Sequence, residues 1–314
     1  IRVNRLIFLL VGLAFMSCGG GDDEGSEITN PCISDQIFSQ SRGECNVSLS
    51  FETIYNENIT ENSRIISSNS IPNHTVGLFG RVQGALNPNP ISEQNLVYTL
   101  PISPVSAKSL IPLLGENGPN YSFGIMLNGV ELDPVAAEPF PHEGRNSPNA
   151  NWEWNLEATN TPLGLDCNNG HVQPSGKYHY HGPPISYLDN LDLSLDRMNL
   201  IGYAADGFPI YYKYAFSDPF NETSSIIEMT TSYRLKTGIR PGDGISAPCD
   251  EYNGVYVNDY EYINELGTLD EANGREGVTP EYPNGTYYYI ITEEFPGIPR
   301  YFRGIPSDDF NFRG

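Results

Sequence analysis

Alternating apolar and polar positions, interrupted by turn residues, run through most of the chain. The clearest cases are Tyr121–Val130, Asn199–Tyr214 and Glu281–Ile291, each of which contains an Asn-Gly or Asp-Gly pair. A period of two is typical of half-buried strands, and these pairs favour tight hairpins. Only Leu191–Met198 predicts a short helix. The sequence therefore predicts a mostly β fold of antiparallel, sandwich-like sheets, with many hairpins, long loops and at most one or two short helices.

Composition supports this fold class and excludes one kind of partner. The chain has 31 glycines, 25 prolines and 20 tyrosines, which favour turns and strands. Its 17 Lys and Arg residues stand against 39 Asp and Glu residues, so the formal net charge is −22. An acidic surface repels the phosphate backbone, so we expect no nucleic-acid partner.

The first residues predict export. Positive charge at Arg2 and Arg5 precedes an apolar run, Leu6–Met16, that is too short to span a bilayer. The Ser17-Cys18 junction resembles a lipoprotein cleavage site, so Cys18 would carry the lipid; a plain secretory signal is the alternative. We expect a signal peptide at 1–17, an acidic and polar tether with a small cysteine loop at 18–47, and a single β domain at 48–314. The lipid would be the only membrane contact, at the outer membrane or cell surface of a Gram-negative envelope.

Histidines concentrate in one predicted hairpin. The stretch 166–184 holds His171, His179 and His181, three of the five histidines in the chain. On a strand, His179 and His181 share one face, with backbones about 7 Å apart, and the tyrosines at 178 and 180 take the other face. If the turn is centred on Ser175, His171 lies opposite His179 and joins them. Three neutral imidazoles suit Zn or Cu, and a shift of one residue would remove the site. His74 is a candidate fourth ligand.

A second stretch repeats this hairpin without its histidines. DEANGR at 270–275 parallels DCNNGH at 166–171, and both lead through Pro and Gly into a tyrosine strand. In this alignment Arg275, Tyr288 and Ile290 take the places of the three histidines. We interpret the two stretches as related hairpins, of which only the first carries imidazole chemistry.

These motifs resemble the YHYH-domain family, named for the motif at 178–181. Further matching motifs, which together cover roughly Pro72 to Gly304, are NHTVGLF from Asn73, NGVELDP from Asn128, IGYAADGFPIY from Ile201, YRLKTGIRP from Tyr233, DEANGR from Asp270 and PEYPNGTYYY from Pro280. The resemblance implies an exported or envelope-exposed bacterial protein and no defined activity, and it makes 48–314 a YHYH-type domain. Ala272 stands where the family often has Cys, and Tyr288 and Ile290 stand where some members are rich in histidine. The resemblance therefore does not extend a second metal site to this chain.

The remaining cysteines predict two disulfides. With Cys18 assigned to the lipid, Cys32 and Cys45 would close a short loop, and Cys167 would pair with Cys249, because export favours oxidation. The alternative is that Cys167 acts as a thiolate ligand beside His171, giving a copper-type donor set.

Two function classes follow. The first is an exported lipoprotein that binds Cu or Zn; as an enzyme it would use the ion as a Lewis acid or to activate water, on an unidentified substrate. Asp166 or Asp206 would then orient a ligating imidazole or transfer a proton. The second is a metal-free extracellular module that binds a glycan or a protein through aromatic faces, such as that of Trp152 and Trp154. A metal-independent hydrolase using His and Asp lacks a nucleophile motif in this sequence.

Overall fold

One sheet of eight strands forms the centre of the protein, whose computed structural model describes residues 37–191 and 193–312. In chain order the strands are β1 (Tyr55–Ile59), β2 (Ser63–Ser68), β3 (Leu96–Pro101), β4 (Ser106–Pro112), β5 (Leu114–Gly115), β6 (Gly118–Pro119), β7 (Gly124–Met126), β8 (Glu131–Leu132), β9 (Val135–Phe140), β10 (Asn151–Glu157), β11 (Gly170–Val172), β12 (Tyr178–Tyr180), β13 (Leu200–Ala204), β14 (Pro209–Tyr212), β15 (Tyr214–Phe216), β16 (Ile226–Glu228), β17 (Tyr233–Leu235), β18 (Tyr260–Tyr262), β19 (Gly274–Gly277), β20 (Thr286–Ile291) and β21 (Tyr301–Gly304). The predicted mostly β class is confirmed.

The single α-helix of the described residues, α1 (Ile185–Asn190), begins earlier than the sequence predicted. Pro184 is its N-terminal cap residue, and proline at a helix start presets the backbone angle without removing a needed hydrogen bond. The helix ends at Asn190, and the described part of the predicted helical segment 191–198 forms turns and bends. The expectation of a helix over Leu191–Met198 was therefore wrong. Short 3-10 helices include Ala158–Asn160, Val257–Asp259 and Asp308–Phe310.

The central sheet consists of two halves with the same strand arrangement. Its order is β11-β12-β8-β7-β13-β14-β20-β19, and the antiparallel pair β7 and β13 lies in the middle. In the first half, the hairpin β7-β8 pairs in parallel with β12 of the hairpin β11-β12. In the second half, the hairpin β13-β14 pairs in parallel with β20 of the hairpin β19-β20. Reading outwards from the centre, the two halves match strand for strand.

The outer hairpins of the two halves begin with the same turn. Asp166 and Asp270 each accept a hydrogen bond from the amide of the glycine four residues later, at 3.1 Å in both cases. Each carboxylate also accepts a hydrogen bond from a tyrosine hydroxyl, of Tyr178 and Tyr287 respectively, at 2.9 Å. The repeat predicted from the sequence is confirmed at the level of individual hydrogen bonds.

The asparagine of each turn completes the match. Asn169 and Asn273 both adopt a positive φ of 54°, a conformation that asparagine tolerates better than most residues. The carbonyl of Asn169 accepts the amide of His181 at 2.7 Å, and that of Asn273 accepts the amide of Ile290 at 3.0 Å. His181 and Ile290 are therefore equivalent positions, as the sequence alignment proposed.

The inner hairpins match as well, which sequence analysis missed. Asn128 donates a hydrogen bond to the Tyr180 hydroxyl at 2.9 Å, and the Tyr289 hydroxyl donates one to Asp206 at 2.5 Å. Asn128 and Asp206 therefore hold equivalent tyrosines from equivalent turns. The Tyr178, Tyr180, Tyr287 and Tyr289 side chains are at most 4% exposed and form part of the main apolar core. The opposite face of β12 is left for the histidines.

A disulfide joins Cys45 to Cys167, 122 residues apart, with a Cα–Cα distance of 5.6 Å. The predicted pairs Cys32–Cys45 and Cys167–Cys249 are therefore wrong. The chain segment around residue 43 runs beside the Asp166 turn, where Gly43 and Asp166 form a bridge, and this brings the two distant cysteines together. Cys249 is also disulfide-bonded. Because Cys167 is oxidised, the alternative that it supplies a thiolate to a metal is also wrong in this structure.

Candidate metal centre

The hairpin β11-β12 places all three histidines on one face. His171 lies directly opposite His179, as expected for a turn centred on Ser175. The turn is closed by a hydrogen bond from the Gly176 amide to the Gln173 carbonyl at 2.9 Å, and Gly176 supplies the positive φ of 88° that the turn needs. The register on which the three-histidine hypothesis depended is confirmed.

The three imidazoles meet through their Nε2 atoms. The Nε2 of His181 lies 3.1 Å from that of His179 and 3.0 Å from that of His171. Taking one nitrogen from each of the three rings, no two of these atoms are more than 4.8 Å apart. His179 and His181 are 1% and 3% exposed, whereas His171 is half-buried. The cluster is thus mostly enclosed, with His171 at its accessible side.

Two of the other ring nitrogens, those of His171 and His179, point towards backbone carbonyls. Nδ1 of His171 lies 3.1 Å from the Leu163 carbonyl, and Nδ1 of His179 makes a longer contact of 3.5 Å with the Lys177 carbonyl. Nδ1 of His181 is buried and has no hydrogen-bond partner among the described residues. A carbonyl can only accept, so these contacts favour the proton on Nδ1 and leave the Nε2 lone pairs facing one another.

Burial keeps the three rings neutral. It lowers the pKa of His171, His179 and His181, most strongly at the last two, where the neighbouring ring of His171 adds to the effect. Neutral imidazole is the form that binds a metal ion. A tetrahedral ion with metal–nitrogen bonds of 2.0–2.1 Å separates its donor atoms by about 3.3 Å, close to the two separations of 3.1 Å and 3.0 Å measured from Nε2 of His181. The residues present therefore fit a Zn or Cu ion.

Asp133 faces the same cluster, and sequence analysis did not assign it a role. Its Oδ2 lies 3.9 Å from Nε2 of His179 and accepts a 3.3 Å hydrogen bond from Gln173, while its Oδ1 has no partner among the described residues. The side chain is 5% exposed. Burial and the negative charge of Glu131 raise the pKa of Asp133 to about 7. The NGVELDP motif contains this residue, but nothing local in the motif places it beside the histidines.

The cluster opens into a cleft of about 790 Å³, which we call the histidine cleft. Besides the three histidines and Asp133, its lining includes polar, charged and aromatic side chains: Asn117, Glu138, Arg145, Asn146, Trp152 and Gln173. The cleft gives small molecules access to the imidazoles from the side of His171.

The carboxylates predicted to support the site lie elsewhere. Asp166 accepts hydrogen bonds from Tyr178 and from the Gly77 amide, and it influences His171 only through its charge. Asp206 accepts hydrogen bonds from Tyr289 and from the Gly304 amide in the second half of the sheet. Neither carboxylate bonds to an imidazole of the cluster within the described residues. Both carboxylates therefore act as turn residues. For Asp206 this agrees with the turn that the Asp206-Gly207 pair favours.

His74 is not a fourth ligand. Its Nε2 lies 2.6 Å from the Tyr180 hydroxyl, and its ring stacks on that of Tyr180 at a centroid distance of 5.9 Å. Tyr180 occupies the face of β12 opposite to the histidines of the cluster. His74 therefore belongs to the packing on the tyrosine side.

The two tryptophans do not form a shared aromatic platform. Trp154 is 4% exposed and packs edge-on against Tyr256 at 5.7 Å, in a small second core. Trp152 is half-buried and lines the histidine cleft. The aromatic surface expected for a binding module is thus reduced to Trp152.

The sequence profile of the family described as YHYH protein matches residues 97–304. The chain belongs to the YHYH family. Within this YHYH protein the motif divides by alternation: Tyr178 and Tyr180 enter the core, whereas His179 and His181 form the candidate metal centre. The match begins later than the motifs from Pro72 suggested. No curated protein and no solved structure matches the chain.

The second half of this YHYH protein fills the equivalent place with other side chains. Arg275 lies opposite Tyr288, as His171 lies opposite His179, and its Nε donates a 2.6 Å hydrogen bond to the Tyr288 hydroxyl. The Tyr211 ring packs edge-on against Tyr288 at 5.6 Å. The described residues of the second half therefore present no imidazole at these positions, as the alignment predicted.

The predicted lipid site Cys18, the predicted signal peptide and Cys32 lie outside the described residues. Among the residues that are described, no helix has the length and apolar character needed to cross a bilayer.

Proposed function

We propose that this YHYH protein binds one transition-metal ion, Zn or Cu, through His171, His179 and His181. The observation that carries the proposal is the convergence of three Nε2 atoms while Nδ1 of His171 and Nδ1 of His179 face backbone carbonyls. This is the arrangement in which a ligating histidine is held by a hydrogen bond on its far side.

Packing alone leaves polar atoms of the buried imidazoles poorly paired, and a bound cation would remove this conflict. Without it, Nε2 lone pairs of buried rings face one another at 3.0–3.1 Å, or a proton must move to Nε2 and turn an Nδ1 lone pair towards a carbonyl oxygen. Either arrangement leaves a buried polar atom poorly paired, at a cost of about 1–3 kcal/mol. A metal ion accepts all three lone pairs while the Nδ1 protons of His171 and His179 face carbonyls.

We also propose that the protein is an exported lipoprotein of a Gram-negative envelope, anchored through Cys18. Residues 1–18 support this, because positively charged residues are followed by an apolar run that ends close to a cysteine. The disulfide between Cys45 and Cys167 is consistent with an oxidising compartment.

The test is the metal content of untagged protein purified from the envelope, measured by elemental analysis before and after dialysis against Zn or Cu. We expect one equivalent in the wild type and none in His179→Ala, because two imidazoles are too few for a stable site. Tyr288→Phe is the matched control, since it changes the equivalent strand position in the half without histidines. If His179→Ala fails to fold, His171→Ala removes a half-buried ligand with less loss of packing.

Wild-type protein that stays metal-free after dialysis would overturn the metal proposal. It would favour the metal-free binding module, whose ligand, a glycan or a protein, would then depend on Trp152 in the histidine cleft.

A further inference from the structure

We infer that Asp133 is the fourth member of the metal site and that its carboxylate makes the site selective for a divalent ion over Cu(I). This inference rests on the proposed three-histidine site and specifies which ion that site accepts.

The parallel pairing of β8 with β12 puts Asp133 on the histidine face. Glu131 lies opposite His179 and Leu132 lies opposite Tyr180, and the amide of the next residue, Asp133, donates a 2.8 Å hydrogen bond to the Tyr180 carbonyl. Asp133 is therefore next to His181, and residues opposite each other in a sheet project to the same side. The backbone of Asp133 is fixed by the same ladder that fixes the imidazoles.

The two acidic side chains on this face differ in their partners. Glu131 pairs with the Lys177 ammonium at 2.5 Å and also bonds to the Tyr98 hydroxyl. Asp133 receives one 3.3 Å hydrogen bond from Gln173, and its buried Oδ1 has no partner among the described residues. Its other oxygen lies 3.9 Å from Nε2 of His179, the nitrogen proposed to bind metal. Asp133 therefore places a buried carboxylate, with one oxygen lacking a hydrogen-bond partner among the described residues, beside a nitrogen proposed to bind the ion.

The second half of the sheet provides an internal comparison. There, the position next to Ile290 on the parallel strand is Tyr211, in the place that Asp133 occupies beside His181. The half that lacks the imidazoles also lacks the carboxylate. This is the pattern expected if Asp133 belongs with the histidines and not with the scaffold that both halves share.

The donor set then determines the ion. Carboxylate oxygen and imidazole nitrogen suit divalent ions such as Zn(II), whereas Cu(I) favours soft sulfur donors. Cys167, four residues before His171, is held in a disulfide and so supplies no thiolate to the site. A negative carboxylate also stabilises a doubly charged ion more than a singly charged one, since the attraction scales with the charge.

The experiment compares Zn(II) and Cu(I) affinities of the wild type with those of Asp133→Asn, using chelator competition for each ion. We expect Asp133→Asn to lower Zn(II) affinity about 10- to 100-fold, as loss of a supporting carboxylate does in other metal sites, with a smaller effect on Cu(I). Glu138→Gln is the matched control, because it removes a charge from the same cleft without a contact to an imidazole. If Asp133→Asn does not fold, Asp133→Ser removes the same charge with a smaller side chain.

Zn(II) affinity within about two-fold of the wild type would overturn the inference, as would an equal loss in Glu138→Gln or an equal loss for both ions. Wild-type protein that binds neither ion would instead overturn the proposed function, so the two failures are distinguishable.

Discussion

Replacement of Asp206 by Asn should change how the stability of the protein depends on pH. Asp206 is 1% exposed and accepts hydrogen bonds from Tyr289 at 2.5 Å and from the Gly304 amide at 2.8 Å. Burial raises the pKa of Asp206 from 3.8 to about 6, although these hydrogen bonds act in the opposite direction. The folded protein therefore holds a proton on this group more tightly than the unfolded chain does.

The sign and size of the effect follow from this difference in pKa. The contribution of Asp206 to the free energy of unfolding is fully present below its unfolded pKa of 3.8 and is lost as the pH rises through about 6. The full difference corresponds to about 3 kcal/mol, of which about 2 kcal/mol falls between about pH 4 and about pH 7. Asn cannot ionise, and the equivalent turn of the first half already uses Asn128 to bond its tyrosine.

Urea unfolding of the wild type and of Asp206→Asn across this pH range measures the effect. We expect the stability of the variant, relative to the wild type, to rise by about 2 kcal/mol from about pH 4 to about pH 7, whatever its offset at the starting pH. Glu276→Gln, which removes an exposed carboxylate from β19, is the control and should retain the wild-type profile. Parallel pH profiles for the wild type and Asp206→Asn would refute the reasoning.

Three further predictions test the scaffold. Replacing Cys45 and Cys167 by Ala opens a covalent loop of 122 residues, so urea unfolding should show a loss of about 3–5 kcal/mol; a loss below about 1 kcal/mol would contradict a stabilising disulfide. Arg300→Met leaves Glu157 buried without its guanidinium partner at 2.6 Å and should cost about 3–5 kcal/mol, most of which a second change of Glu157 to Met should restore. His74→Phe should leave the metal content of the purified protein unchanged, and a fall in bound metal would place His74 in the site.

Local sequence features were enough to predict the three-histidine cluster. The register of β11 and β12 depends on a short turn, and alternation along one strand then decides which side chains share a face. The helix was misplaced by several residues, because the observed helix begins directly after Pro184 and ends at Asn190, before the segment 191–198.

Features that depend on distant pairing could not be predicted. Asp133 reaches the cluster through a parallel pairing of β8 with β12, and no local pattern specifies which strand becomes the neighbour of another. The same holds for Cys45 and Cys167: closeness in sequence favoured Cys32 for Cys45, whereas the fold brings residue 45 to the Asp166 turn. Asp206 was expected to support an imidazole, whereas its partner is Tyr289, 83 residues further along the chain.

The repeated sheet separates what holds the protein together from what it can do. On β12 and β20, one set of alternate positions carries the core tyrosines, and the intervening positions carry either imidazoles or inert packing. Natural selection can therefore alter the chemistry of either half through the intervening positions while the turns and the tyrosines on the other face stay unchanged. The second half keeps the same strand framework without the ligands. Histidines at 275, 288 and 290 with an aspartate at 211 would reproduce the ligand pattern of the first half. A duplicated architecture of this kind can lose a function in one copy while the other preserves it.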